Sequence, residues 1–315
     1  MVKTDREFNN SAASLIALAI VLGNGLSSSL SGPDNSIQAP PQSPAPIKVE
    51  LRDGLIAPMR GAGAIEGAEA EFDEWRRIAE GHVLELCGTD FKQGTNHDRI
   101  RKRLLALAMS LSLDVEQIRA QEFRLGYEVD LLDVLVGAYN RASDDFPTIG
   151  AASLAELNLL VRRLRDGRGH LLRWKEFERA AKDDAHEEGL ASASEVALHV
   201  DQLAEHTESL PRYFDPDLPR SLRFLSNALR DPGGATRTMV YGAVKSVENV
   251  LAFVAERALA ITRASLTAVE AHISKALGAA LISGLGGVGL SLSGILPHGW
   301  SWLKPVLDAI SKLPN

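Results

Sequence analysis

Between Gly63 and Leu210 apolar residues return every three or four positions, the spacing that gathers them on one face of an α-helix. Phe72, Trp75, Ile78, Ala79, His82 and Leu86 form the first stripe, over residues 64–86. Ile100, Leu104, Leu107, Ala108 and Leu111 form the second, over 97–112, with Thr95 as its expected N-cap. Asp114 stands where it would cap a short helix running to Glu122. Val129, Leu132, Leu135, Val136 and Tyr139 mark another helix over 128–141. Ser153 and Glu156 have capping-box spacing ahead of LAELNLLVRRLR, and stretches 171–186 and 192–206 complete the set. Runs that alternate with period two are nearly absent. The pattern predicts an all-α chain: a multi-helix domain, then a long helix, then a Gly-rich apolar C-terminal helix or hairpin.

Prolines and glycines set the boundaries. Pro211, Pro216 and Pro219, then Asp231-Pro-Gly-Gly234, make 211–235 a connector holding one short helix, 218–230. From Thr236 a helix runs toward Lys275, with Val240, Val244, Val247, Leu251, Val254, Ala258 and Ile261 at alternating spacings of four and three. That is the seam of a coiled coil, which predicts either a homo-oligomer through 240–261 or a helix packed within its own domain. Domain assignments follow: 1–62 as an N-terminal apolar segment and flexible linker, 63–210 as the helical domain, 211–235 as connector, and 236–315 as long helix and tail.

The tail is the strongest signal. Ala276–Leu296 is 21 residues of Leu, Ile, Val, Ala, Gly and Ser, followed by Trp300, Trp302 and Lys304. An apolar run of about 20 residues closed by tryptophans and a lysine is the form of a membrane-inserting segment. Its nine Leu, Ile or Val residues contribute about −3 to −5 kcal/mol toward insertion, offset in part by six glycines and three serines. Gly284, Leu285, Gly286, Gly287 and Gly289 are the expected membrane-associating residues, and Trp300 and Trp302 the expected interface anchors. The glycines equally suit a hinge, folding Leu266–Ile282 and Leu290–Ile310 into a hairpin. Membrane lipid is therefore the expected partner. Arg257, Arg263 and Lys275 before the run outnumber Lys304 and Lys312 after it, which favours a cytoplasmic helical domain.

The N-terminus divides in two. Ala12–Leu22 is an uncharged run of 11 residues, the length of a signal-peptide core, but acidic residues flank it and no A-x-A pattern follows. Secretion follows only if residues 1–31 are such a signal. Residues 27–50 hold five prolines from Pro33 to Pro46 and read as an extended spacer.

Composition narrows the chemistry. The net charge of −7 argues against nucleic acid as a partner. Arginine outnumbers lysine 24 to 10, the usage of a GC-rich bacterial genome. The single cysteine, Cys87, rules out an intrachain disulfide and lies in the apolar stretch HVLELC, where an inert thiol is expected. No P-loop, G-x-S-x-G elbow or H-E-x-x-H is present, so no cofactor is expected.

Arg165-Asp-Gly-Arg-Gly-His170 resembles the Arg–polar–spacer–His signature of helical ribonucleases of the HEPN group, which would give Arg165 and His170 roles at a scissile phosphate. Two glycines fall inside the motif where such a family has helix, and no catalytic residue is assigned. Glu195, His199 and His206 share one helical face and could begin a metal site, but a site needs ligands from a second element, and no metal is assigned. The arginine runs 99–103 and 162–168 lack interleaved aromatics and read as solvated helix faces. The sequence thus predicts a non-enzymatic, membrane-associating helical protein. The alternatives are a soluble oligomerising module and, further off, a helical nuclease or metal-dependent hydrolase.

Overall fold

The apolar stripes become the buried faces of helices. The computed structural model describes residues 39–60, 63–94, 97–141, 148–184, 192–231, 234–260 and 300–306. These hold one hairpin, β1 (Val49–Arg52) and β2 (Leu55–Pro58), and nine helices. The helices are α1 (Glu69–Gly88), α2 (Asp98–Leu111), α3 (Val115–Ala120), α4 (Glu122–Asn140), α5 (Ala151–Arg168), α6 (Leu172–Asp184), α7 (Ala193–Glu208), α8 (Asp217–Leu229) and α9 (Arg237–Ala260). Among the described residues the chain is all-α apart from the two-stranded sheet.

Two helices lie at the centre. Helix α4 is buried on nearly every side and packs against α2, α5 and α6. It begins at Glu122 rather than 128, because Phe123, Leu125 and Tyr127 are buried as well, and a helix covered all round shows no single apolar face in its sequence. Helix α9 is the second axis, enclosed by α6, α7, α8 and β1. Val240, Val244, Val247, Leu251 and Val254 are all buried inside one chain, so the heptad-like seam serves the chain's own core. The side chain of Ala258, and Ile261, lie outside the described residues.

An aromatic cluster joins the two axes. Trp174 of α6 lies 5.7 Å from Tyr127 of α4 and 5.4 Å from Phe177, ring centre to ring centre, with Phe123 at 6.0 Å. Glycines permit the approach: a Cβ on Gly126 would fall 2.1 Å from Trp174, and one on Gly242 would fall 2.2 Å from the Tyr127 hydroxyl.

Caps account for some boundaries. Asp114 caps α3 as expected, in a reciprocal box with Gln117. Ser153 does not cap α5, which starts two residues earlier with Gly150 at its N-cap. Thr95 lies outside the described residues.

The expected flexible linker is ordered over 39–60. Asp53 and Gly54, both at positive φ, turn β1 into β2. Ahead of the hairpin, residues 43–47 lie along α9 as a strap. The side chain of Asn249 accepts from Ser43 N–H (2.8 Å) and donates to the Ser43 and Ile47 carbonyls (both 3.0 Å). Ile47 N–H donates to the Ser246 hydroxyl at 3.1 Å. Ala45 and Ile47 are buried.

The chain also returns to α9 near its other end. Trp300, Leu303 and Val306 are buried in the common core, and the Trp302 indole N–H donates to Glu248 at 3.2 Å.

Candidate functional site

The residues singled out by sequence fall in scattered places. Arg165, in the last turn of α5, is exposed and ion-paired with Asp133 of α4. His170 turns away toward the segment before α1, where its Nδ1 lies 2.9 Å from the Glu66 carbonyl and so carries the proton. The two are held by different partners and do not form a shared site. Glu195 is the reciprocal partner of the N-cap Ser192, and hydrogen bonds from Ser192 hold its carboxyl below the usual range. His199 pairs with Gln202 at 3.0 Å. Among the described residues no three His, Cys, Asp or Glu side chains gather as a metal site, and Glu195, His199 and His206 acquire no ligand from a second element. Cys87 is half-buried, and burial pushes its thiol up.

Gly284, Leu285, Gly286, Gly287 and Gly289 lie outside the described residues. The two expected interface tryptophans do not: Trp300 is buried in the helical body and Trp302 is half-buried against Glu248. Among the described residues no helix is long and apolar enough to cross a membrane.

A cleft of about 520 Å³ opens elsewhere on the described surface. Pro46 and Ile47 of the strap and Pro58, Met59 and Arg60 at the end of the hairpin form one wall. Opposite stand the α3–α4 corner, with Gln121, Phe123 and Arg124, and Arg173 of α6. Asp217, Arg220, Ser221, Phe224 and Leu225 of α8 complete it. Each wall has a support. Ile56 exchanges backbone hydrogen bonds with Tyr213 (2.7 Å) and Asp215 (2.9 Å), and Arg52 pairs with Asp215 at 2.8 Å, which fixes the hairpin on the chain entering α8. The strap is fixed by Asn249 and Ser246, and Phe123 by the aromatic cluster.

The cleft is electropositive on an acidic protein. Its four arginines face two carboxylates. Arg60 and Arg220 share Asp217, at 2.8 and 3.2 Å. Arg173 Nε lies 3.1 Å from the buried Glu122, whose carboxyl is pushed up to about 7, chiefly by burial. Arg124 sits over the Phe224 ring at 6.0 Å, and among the described residues no carboxylate lies within ion-pair distance of it. Residues from the first turns of α4, α6 and α8 all line the cleft.

Sequence reasoning missed this site because its arginines are at 60, 124, 173 and 220, on three different helices and the segment that follows β2. The runs it did find dissolve into ion pairs: Arg103 with Glu128 and Asp231, Arg168 with Asp130 and Glu178. In comparisons with known proteins, no family model, no curated relative and no solved structure matches the chain.

Proposed function

We propose that the protein acts without catalysis, as a helical body that carries an apolar segment into a membrane, the segment entering and leaving on one side. The observation that carries this reading is the return of the chain to α9. If 276–296 spanned a bilayer once, Trp300 would lie on the far side. Four residues reach at most about 14 Å, too little to recross a hydrocarbon layer of about 30 Å. With Trp300, Leu303 and Val306 in the core of the body, the segment has to come back to the side it left.

One-sided insertion also improves the charge distribution. A single span would divide five flanking cations three to two. Insertion and return put Arg257, Arg263, Lys275, Lys304 and Lys312 together on one side, the arrangement the positive-inside rule favours for a cytoplasmic body. For the reading as a module that oligomerises through 240–261, the described part of the seam, Val240 to Val254, is buried in the chain's own core.

The test is membrane fractionation of the full chain and of Leu285→Arg, with carbonate-washed pellets. The unmodified chain is expected in the pellet and the variant in the supernatant, because a mid-bilayer Arg costs about 2.5–3.5 kcal/mol on an insertion of similar size. Labelling with an impermeant maleimide settles sidedness: Asn315→Cys and Lys102→Cys, each in a Cys87→Ala chain, are expected to react from the same side. An unmodified chain found in the supernatant, or labels on opposite sides, overturns the proposal.

A further inference from the structure

We infer that the arginine-lined cleft is a binding site for a phosphate monoester carried on an apolar or planar body. The charge argument sets the anion. Four guanidiniums line the cleft, with Asp217 as the one carboxylate among the lining residues and Glu122 paired to Arg173 beside it, an arrangement that favours an anion. Glu122, 1% exposed and faced by Arg173 and Glu176 of α6, has its carboxyl pushed up to about 7 by burial, so at neutral pH it is about half-ionised and offsets Arg173 only in part. A monocarboxylate neutralises one charge, whereas a phosphate monoester brings about −1.5 to −2 and three acceptor oxygens. Guanidinium forks match those oxygens geometrically.

The lining sets the rest of the ligand. Ile47, Met59, Phe123, Phe224 and Leu225 give the cleft apolar walls, and its volume of about 520 Å³ is that of a small-molecule site. Arg124 and Arg173 are steadied over the rings of Phe224 and Phe123, at 6.0 and 5.2 Å. For Arg124, which has no ion pair among the described residues, that contact positions the guanidinium without neutralising it. A nucleic acid strand would need a longer basic track and would meet an acidic surface beyond the cleft, since the chain carries −7 overall.

The phosphate could belong to a soluble ester or to a lipid headgroup, and the experiment separates the two. The full chain carrying Leu285→Arg, which removes the apolar segment's own membrane affinity, is titrated by calorimetry at pH 7.5 with phenyl phosphate, inorganic phosphate and benzoate. Phenyl phosphate is expected to bind one to one, at least about tenfold more tightly than benzoate and more tightly than inorganic phosphate. Arg124→Gln and Arg220→Gln, both at exposed positions, are each expected to weaken it about tenfold or more with an unchanged circular dichroism spectrum. Cosedimentation with phosphatidic acid vesicles, lost on Arg124→Gln and absent with phosphatidylserine vesicles, identifies the source as lipid; no cosedimentation identifies a soluble ester. The inference falls if phenyl phosphate binds no better than benzoate, or if both arginine variants bind as the parent does. It also falls if a single-stranded RNA 12-mer outcompetes phenyl phosphate through the same arginines.

Discussion

Glu122 opens α4 with a carboxyl that is 1% exposed and 3.1 Å from Arg173. Burial raises it from 4.5 to about 7. Between those values the folded chain binds more protons than the unfolded one, so this group's contribution to stability falls as pH rises and is least above pH 7. The full penalty is on the order of 3 kcal/mol. Glu122→Gln is therefore expected to stabilise the protein by about 1–3 kcal/mol at pH 8, with the gain shrinking toward zero near pH 4.5, in urea denaturation followed across pH. Glu128 and Asp130 are also raised by burial, but both proteins retain them, so the difference isolates Glu122. A gain that does not change with pH would contradict this account. None of this is legible in the sequence, where Glu122 reads as the polar end of a short helix.

At the scale of elements, legibility follows the range of the interactions. The helices could be read because periodicity is local: the stripes at Phe72–Leu86 and Ile100–Leu111 are the buried faces of α1 and α2. The strap could not. Proline-rich composition tests whether a segment folds alone, whereas Ser43 is held by Asn249, 206 residues away. The hairpin carried a local signal, Asp53-Gly54 between VELR and LIAP, but its four-residue strands are too short for alternation to stand out. The cleft inherits both difficulties, since the strap and hairpin form one of its walls. Asn249→Ala removes three hydrogen bonds to the strap and is expected to cost about 1–3 kcal/mol. By hydrogen exchange, the Ser43 and Ile47 amides should lose protection while those of α4 keep theirs. Equal loss in both would mean that the strap is not a separable element.

For the whole molecule, the decisive stretch is Trp300–Val306. Sequence placed its tryptophans at a membrane interface, because an apolar run followed by Trp-x-Trp is what such an interface looks like. The fold buries Trp300 and Leu303 in the body. Both readings use the same property, a large apolar ring with one polar edge, and only the tertiary partner, Glu248, distinguishes them. Leu303 is fully buried, so Leu303→Ala is expected to lower the stability of the helical body by about 2–5 kcal/mol in urea denaturation. A change below about 0.5 kcal/mol, typical of surface positions, would mean that the segment does not belong to the core. A chain ending at Lys275 lacks the same buried residues, which makes Leu285→Arg the cleaner probe of the apolar segment.

The covering of α9 from both ends of the chain has a consequence for the order of events on the ribosome. The described part of α9 ends at Ala260, and among the described residues its C-terminal cover runs from Trp300 to Val306. At about 5–20 residues per second, the intervening 46 residues take about 2–9 s to make. Through that interval the side of α9 around Glu248 waits uncovered, and the apolar stretch 276–296 emerges before the residues that close the body. On the proposed one-sided insertion, 276–296 can therefore reach the membrane before the body closes, and docking of Trp300–Val306 would follow as a latch.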